Sequence, residues 1–101
     1  MPVLTLTPAD TNLDLAALLI AANPKARIHG TNITIAAEPG NAGDVFLGVP
    51  TMTGSDFDVR LRKGESHSFI SGGGANDQNA NAITVRADEN NDKIAVYIGV
   101  S

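Results

Sequence analysis

The stretch Lys93-Ile94-Ala95-Val96-Tyr97-Ile98-Gly99-Val100 decides the fold class. Ile94, Val96, Ile98 and Val100 occupy one phase of a two-residue period, and Ala95, Tyr97 and Gly99 the other. Successive side chains of a strand point to opposite faces, so this period marks a strand with one buried face. Working outward, the same period recurs in Ile83-Val85-Ala87, Phe57-Val59-Leu61 and Ile33-Ile35-Ala37. Candidate strands are 27–37 (interrupted near Gly30), 44–49, 56–61, 66–70, 82–88 and 93–100. Short strands at this spacing predict a mainly β chain, a small antiparallel β-sandwich or barrel with an N-terminal extended arm and one short helix.

The turns carry their own chemistry. Pro39-Gly40-Asn41-Ala42-Gly43 combines proline's fixed φ with glycine's freedom. Lys63-Gly64 and Asn90-Asn91-Asp92 predict tight hairpin turns, because Gly, Asn and Asp tolerate left-handed backbone. The connection 71–81 contains Gly72-Gly73-Gly74 and three Asn, with only alanines as apolar anchors, and is expected to be a mobile surface loop.

The N-terminal quarter differs. Residues 1–7 alternate Val3, Thr5 and Thr7 against Leu4 and Leu6, an extended arm or edge strand that Pro8 stops. Residues 9–24 predict a helix, with Asp10, Thr11 or Asn12 as the cap and Asn23-Pro24 as the stop. Between Leu13 and Ala22 only Asp14 is charged, so the helix is apolar on almost every face. Such a helix is normally buried all round. Either a second surface covers Leu15, Leu18 or Leu19, or Ala16, Ala17, Ala21 and Ala22 are simply exposed. The organisation expected is an arm and helix over 1–24 and a sandwich over 25–101, forming a single folding unit.

Composition bounds the function. A chain of 101 residues suits one domain with a thin core, and it has no Cys to brace that core. Aromatics are only 4%, so burial against other subunits is a natural supplement. The net charge is −4, and the densest basic group, Arg60, Arg62 and Lys63, is offset by Asp56, Asp58 and Glu65, which argues against a nucleic-acid partner. The apolar stretch 13–22 falls short of the ~20 residues that cross a bilayer. No Lys or Arg precedes Lys25, as a secretory signal would require. A soluble protein made in the cytoplasm, with no membrane partner, is expected.

Catalytic and metal motifs fail on context. Gly64-Glu65-Ser66-His67-Ser68 lacks the second glycine and the strand-to-helix turn of a nucleophile elbow. His29 and His67 have no ligand spacing, and Asp88-Glu89-Asn90-Asn91-Asp92 continues into Lys93 and Gly99 where a calcium loop needs Gly and Glu. Gly40–Gly43 and Gly72–Gly74 lack the lysine and helix of a phosphate cradle. No enzyme activity, metal or cofactor is expected.

One resemblance extends beyond these patterns. Ile33-Thr34-Ile35, the turn Asn41-Ala42-Gly43, the strand Val45-Phe46-Leu47-Gly48, the turn Leu61-Arg62-Lys63-Gly64-Glu65-Ser66 and the strand Ile94-Ala95-Val96-Tyr97 follow one another in an order that resembles small β-sandwich structural proteins of tailed bacteriophage virions. The similarity covers about two-thirds of the chain and leaves out the helix-bearing N-terminus. It implies a capsid decoration or cement protein on the virion surface, assembled in the host cytoplasm, with the major capsid protein as partner. It also implies a homo-oligomer, a trimer being suggested by threefold positions in shells. The alternatives are a tail or fibre adhesion module using the 71–81 loop, and a small hydrolase. For the first reading the candidate interface is Val3, Leu4, Leu6, Leu15, Leu18 and Leu19. The competing reading places the N-terminal strand and helix inside the sandwich core.

Overall fold

The computed structural model describes residues 3–70 and 78–99. In chain order the elements are β1 (Val3–Leu6), β2 (Leu13–Asp14), α1 (Leu15–Ala22), β3 (His29–Gly30), β4 (Asn32–Ala37), β5 (Val45–Gly48), β6 (Val59–Leu61), β7 (Ser66–Ile70), β8 (Gln78–Asn79), a 3-10 turn (Ala80–Ala82), β9 (Thr84–Ala87) and β10 (Asp92–Gly99). One four-stranded sheet has the order β1-β10-β4-β7 and is called the first sheet below; the second has the order β2-β9-β5-β6, and β3 pairs with β8. All pairings are antiparallel.

The alternation dictates the layering. Leu4, Leu6, Ile33, Ile35, Ile94 and Val96 of the first sheet share one buried cluster with Val45, Leu47, Leu61 and Val85 of the second. Two sheets that bury their inner faces against each other and keep separate edges make a sandwich, which settles the choice between sandwich and barrel. Leu15, Ala16 and Leu19 of α1 join the same cluster with Ala80 and Ile83.

Among the described strands, β5 and β6 are the one consecutive pair that hydrogen-bonds directly. The two turns expected to make hairpins are therefore corners between sheets. At 62–65, Gly64 has φ 79° and its N–H donates to the Ala37 carbonyl at 3.0 Å, while the Arg62 N–H donates to Glu65 Oε1 at 2.7 Å. At the other corner Asn91 has φ 66° and donates its N–H to the Leu6 carbonyl at 3.0 Å. Positive φ says where the chain turns, but it does not say whether the next strand returns to the same sheet.

The corner before β5 is fastened to the corner before β10. Buried Asp92 accepts the Ala42 and Gly43 N–H groups at 2.8 and 2.9 Å. Buried Asn41 pairs its amide with Lys93, accepting from the N–H and donating to the carbonyl, both at 2.8 Å. Gly43 permits this approach: a Cβ there would stand 2.9 Å from Glu89 Cγ.

The N-terminus refines three expectations. Of the two readings of residues 1–7, arm or edge strand, the edge strand holds: β1 edges the first sheet and β2 edges the second, so residues 1–24 and 25–101 share one sandwich. The helix begins later than expected, since Leu13 and Asp14 first pair with Val85 and Thr84. Its cap is thus Asp14, whose Oδ1 accepts the Ala16 N–H at 3.0 Å, rather than Asp10, Thr11 or Asn12. Asn23 ends it as expected. The outer helix face consists of exposed Ala17, Ala21 and Ala22 with Ile20, which is 44% exposed.

Residues 71–77 of the expected surface loop lie outside the described residues. Its second part is built in: Gln78 and Asn79 pair with Gly30 and His29, and Ala80 is buried.

Two outcomes follow in urea denaturation. Leu6→Ala, or deletion of residues 1–7, should destabilise the whole sandwich, the substitution by about 2–5 kcal/mol. Asp92→Ala should cost about 1.5–3 kcal/mol by orphaning the corner N–H groups. A deletion that left the unfolding midpoint unchanged would contradict the assignment of β1 to the sheet.

A candidate docking face

The outward positions of the first sheet form a face built from small, uncharged side chains. By register, Val3 lies beside Ala95, Ala95 beside Ala36, and Ala36 beside Ser66. In the next row Tyr97 lies beside Thr34, and Thr34 beside Ser68, with the two hydroxyl oxygens 2.8 Å apart. Thr5 and Lys93 close one end, and Gly99, Asn32 and Ile70 the other. Within these four strands Lys93 is the one charged residue in the outward phase. Among the described residues, three of the five exposed large apolar side chains stand here: Val3 at 52%, Tyr97 at 50% and Ile70 at 69%. A sheet face in water normally carries polar and charged residues in its outward phase.

The outer face of the second sheet is treated differently. Phe46 and Met52 are buried there, outside the central cluster. Phe57 packs on Phe46 with ring centroids 4.6 Å apart, and a Cβ on Gly48 would stand 3.0 Å from Met52 Sδ. The segment between β5 and β6 folds back over its own sheet, held by Asn12 Nδ2, which donates to the Pro50 and Met52 carbonyls at 2.9 Å. Asn12 in turn accepts from Arg86 at 3.2 Å, and Arg60 Nε donates to Asp44 at 2.7 Å. One outer face is thus covered by the chain itself, and the other is left open by the described residues.

The residues expected at an interface are split by this arrangement. Leu4, Leu6, Leu15 and Leu19 are buried in the chain's own core, and Leu18 is partly buried against it. Of the six, Val3 alone stands well out on this candidate face. Leu4, Leu6, Leu15 and Leu19 cannot touch a partner while the domain is folded, because burial against the second sheet satisfies them first.

The motif residues fall as strand alternation dictates. Ser66 and Ser68 point outward on β7, while His67 points inward with its ring edge-on to Phe69 at 4.8 Å. His29 lies on β3 opposite Asn79. No group of three or more His, Cys, Asp or Glu that could hold a metal occurs among the described residues. No helix of the described residues is long and apolar enough to cross a membrane.

The signal for this candidate face lies in the outward phase of the strands rather than in the apolar residues. Thr34, Ala36, Ser66, Ser68 and Ala95 stand in that phase where charges belong, and this is visible in the sequence. Comparison with protein-family models, with curated proteins and with solved structures finds no match for this chain.

The contrast between faces is measurable. Val3→Lys combined with Ser68→Lys should change folding stability by no more than about 0.5 kcal/mol. Phe46→Ala on the covered face should cost about 3–5 kcal/mol. Chemical denaturation of the two variants checks both values.

Proposed function

We propose that this protein works by association, as a decoration or cement protein that lays the outer face of its first sheet on the major capsid protein of a tailed bacteriophage. The open, nearly charge-free sheet face carries this reading, opposite a face that the chain covers itself. The resemblance of the β region to small virion sandwich proteins supplies the capsid. Interface centres are depleted of charge, because a buried unpaired charge keeps its desolvation cost.

Magnitude shapes the mechanism. Four strands spaced at about 4.8 Å, with outward positions spanning about 20 Å, give a face of roughly 400 Å². A stable protein pair buries about 800 Å² per partner. One copy is thus a weak binder, and a shell presenting many sites holds the population by avidity and by bracing adjacent subunits. A stable homotrimer of the free chain would need surface beyond this face.

A tail or fibre adhesion module is the second reading, favoured by Tyr97, an exposed aromatic in one row with the Thr34 and Ser68 hydroxyls. Sugars stack on such rings. Under that reading Tyr97→Ala abolishes retention on host glycans and leaves shell attachment untouched.

The test is co-sedimentation with purified shells that lack the protein, together with shell heat resistance. Wild-type protein should attach and raise the temperature at which shells rupture. Thr5→Glu with Ser68→Glu should weaken attachment at least about tenfold, by burying unpaired charge. Val49→Glu, at an exposed apolar position outside the four strands of the first sheet, should attach normally. Unaltered attachment by the double variant would remove the sheet face from the mechanism.

A further inference from the structure

A groove of about 400 Å³ runs between the end of α1, residues 23–27 and the Val96–Ile98 part of β10. Its volume falls within the range of sites that hold small ligands or short peptide segments. Ala22 and Ile98 supply its accessible apolar surface, above the buried Leu19 and Val96, and Lys25 and Arg27 stand on its wall. No Asp or Glu lines it, and neither cation forms an ion pair among the described residues. Two positive charges with no ion-pair partner among the described residues, beside an apolar floor, are notable in a chain of net charge −4.

The wall is built rather than loose. Asn23 Oδ1 accepts the Lys25 N–H at 3.0 Å, and the Asn23 carbonyl accepts the Ala26 N–H at 2.8 Å. The following Ile28 carbonyl accepts the Ala80 N–H at 2.9 Å, tying the segment to the buried 3-10 turn. Fixed backbone of this kind removes the backbone part of the ordering cost of binding and leaves the side-chain part of Lys25 and Arg27.

We infer that this groove receives an extended acidic peptide segment from a partner protein, with apolar side chains on the Ala22–Ile98 floor and carboxylates against Lys25 and Arg27. A nucleic-acid strand is disfavoured, because tracking a phosphate backbone takes a row of cations, and the groove offers two in a chain of net charge −4. The site is distinct from the flat sheet face and does not rest on the capsid reading, although Tyr97 borders both. On a shell it would add a second, charge-selective contact to the weak sheet contact.

Fluorescence anisotropy with the 101-residue chain tests this. The probe is a labelled, N-acetylated peptide of about eight residues alternating Val or Leu with Glu, compared with the same peptide carrying Gln for Glu. The Glu peptide should bind at least about tenfold more tightly than the Gln peptide, and raising NaCl from about 50 to about 500 mM should erase most of that preference. Lys25→Glu with Arg27→Glu should abolish the preference, and Ala22→Phe should weaken both peptides by filling the floor. Amide NMR shifts should move at residues 22–27 and 96–98. Equal binding of the two peptides, or indifference to both variants, would overturn the inference. So would no binding up to about 1 mM, tighter binding of an oligothymidylate, or binding that emerges only once residues 1–2 are removed, which would make the chain's own terminus the occupant. Loss of shell attachment in the Thr5/Ser68 variant with peptide binding intact separates this site from the sheet face.

Discussion

The molecule depends on a polar clamp at the edge of an apolar sandwich. The chain passes from the first sheet to the second just before β5, and back again just before β10. The side chains of Asn41 and Asp92 bind these two corners to each other through four hydrogen bonds of 2.8–2.9 Å. Asn41 matches its amide to the Lys93 peptide as a neighbouring strand would. That pairing matters because a slip of one residue would turn every side chain of β10 to the wrong face. β10 in turn holds both β1 and β4, so the register set at Lys93 is passed to most of the first sheet. Two buried polar side chains thus specify an arrangement that apolar burial stabilises without specifying.

Strand positions were legible because one-sided burial writes itself as alternation. Ser66–Ile70 forms β7 with the expected limits, and the break near Gly30 separates β3 from β4. Partnership was not legible. Asn91 and Gly64 adopt the left-handed backbone that their residue types favour, yet each sits on a corner leading to the other sheet. A turn motif is local, while the choice of sheet is made by apolar faces far apart in sequence. The cap of α1 was misplaced for a related reason. Asp14 is the last residue of a two-residue strand whose partner, Thr84, lies seventy positions away, and nothing local announces that pairing. Ala80 is a milder case: it is too small to stand out among polar neighbours, and its burial depends on Leu15 and Leu19 arriving from the other end of the chain.

The candidate site was hidden by a different asymmetry. An apolar residue in a short chain is claimed first by the chain's own core, so Leu4, Leu6, Leu15 and Leu19 report on folding. What is left over for a partner is the outward phase, where the signal is a missing charge rather than an added leucine. Thr34, Ser66, Ser68 and Ala95 look unremarkable one at a time. Only the register, which sets them side by side with Tyr97 and Val3, turns them into a surface.

Such a face balances solubility against association. Large apolar side chains there would drive free copies together, since contiguous greasy patches promote association. Charges there would resist burial on any surface that could not pair them. Serine, threonine and alanine avoid both penalties: hydroxyls exchange water for hydrogen bonds at little net cost, and alanine loses no rotamer freedom. The acidic surplus of the chain adds mutual repulsion between free copies. A face of this composition gains little from a single encounter and loses little by waiting, which suits a surface that meets an ordered array of identical sites.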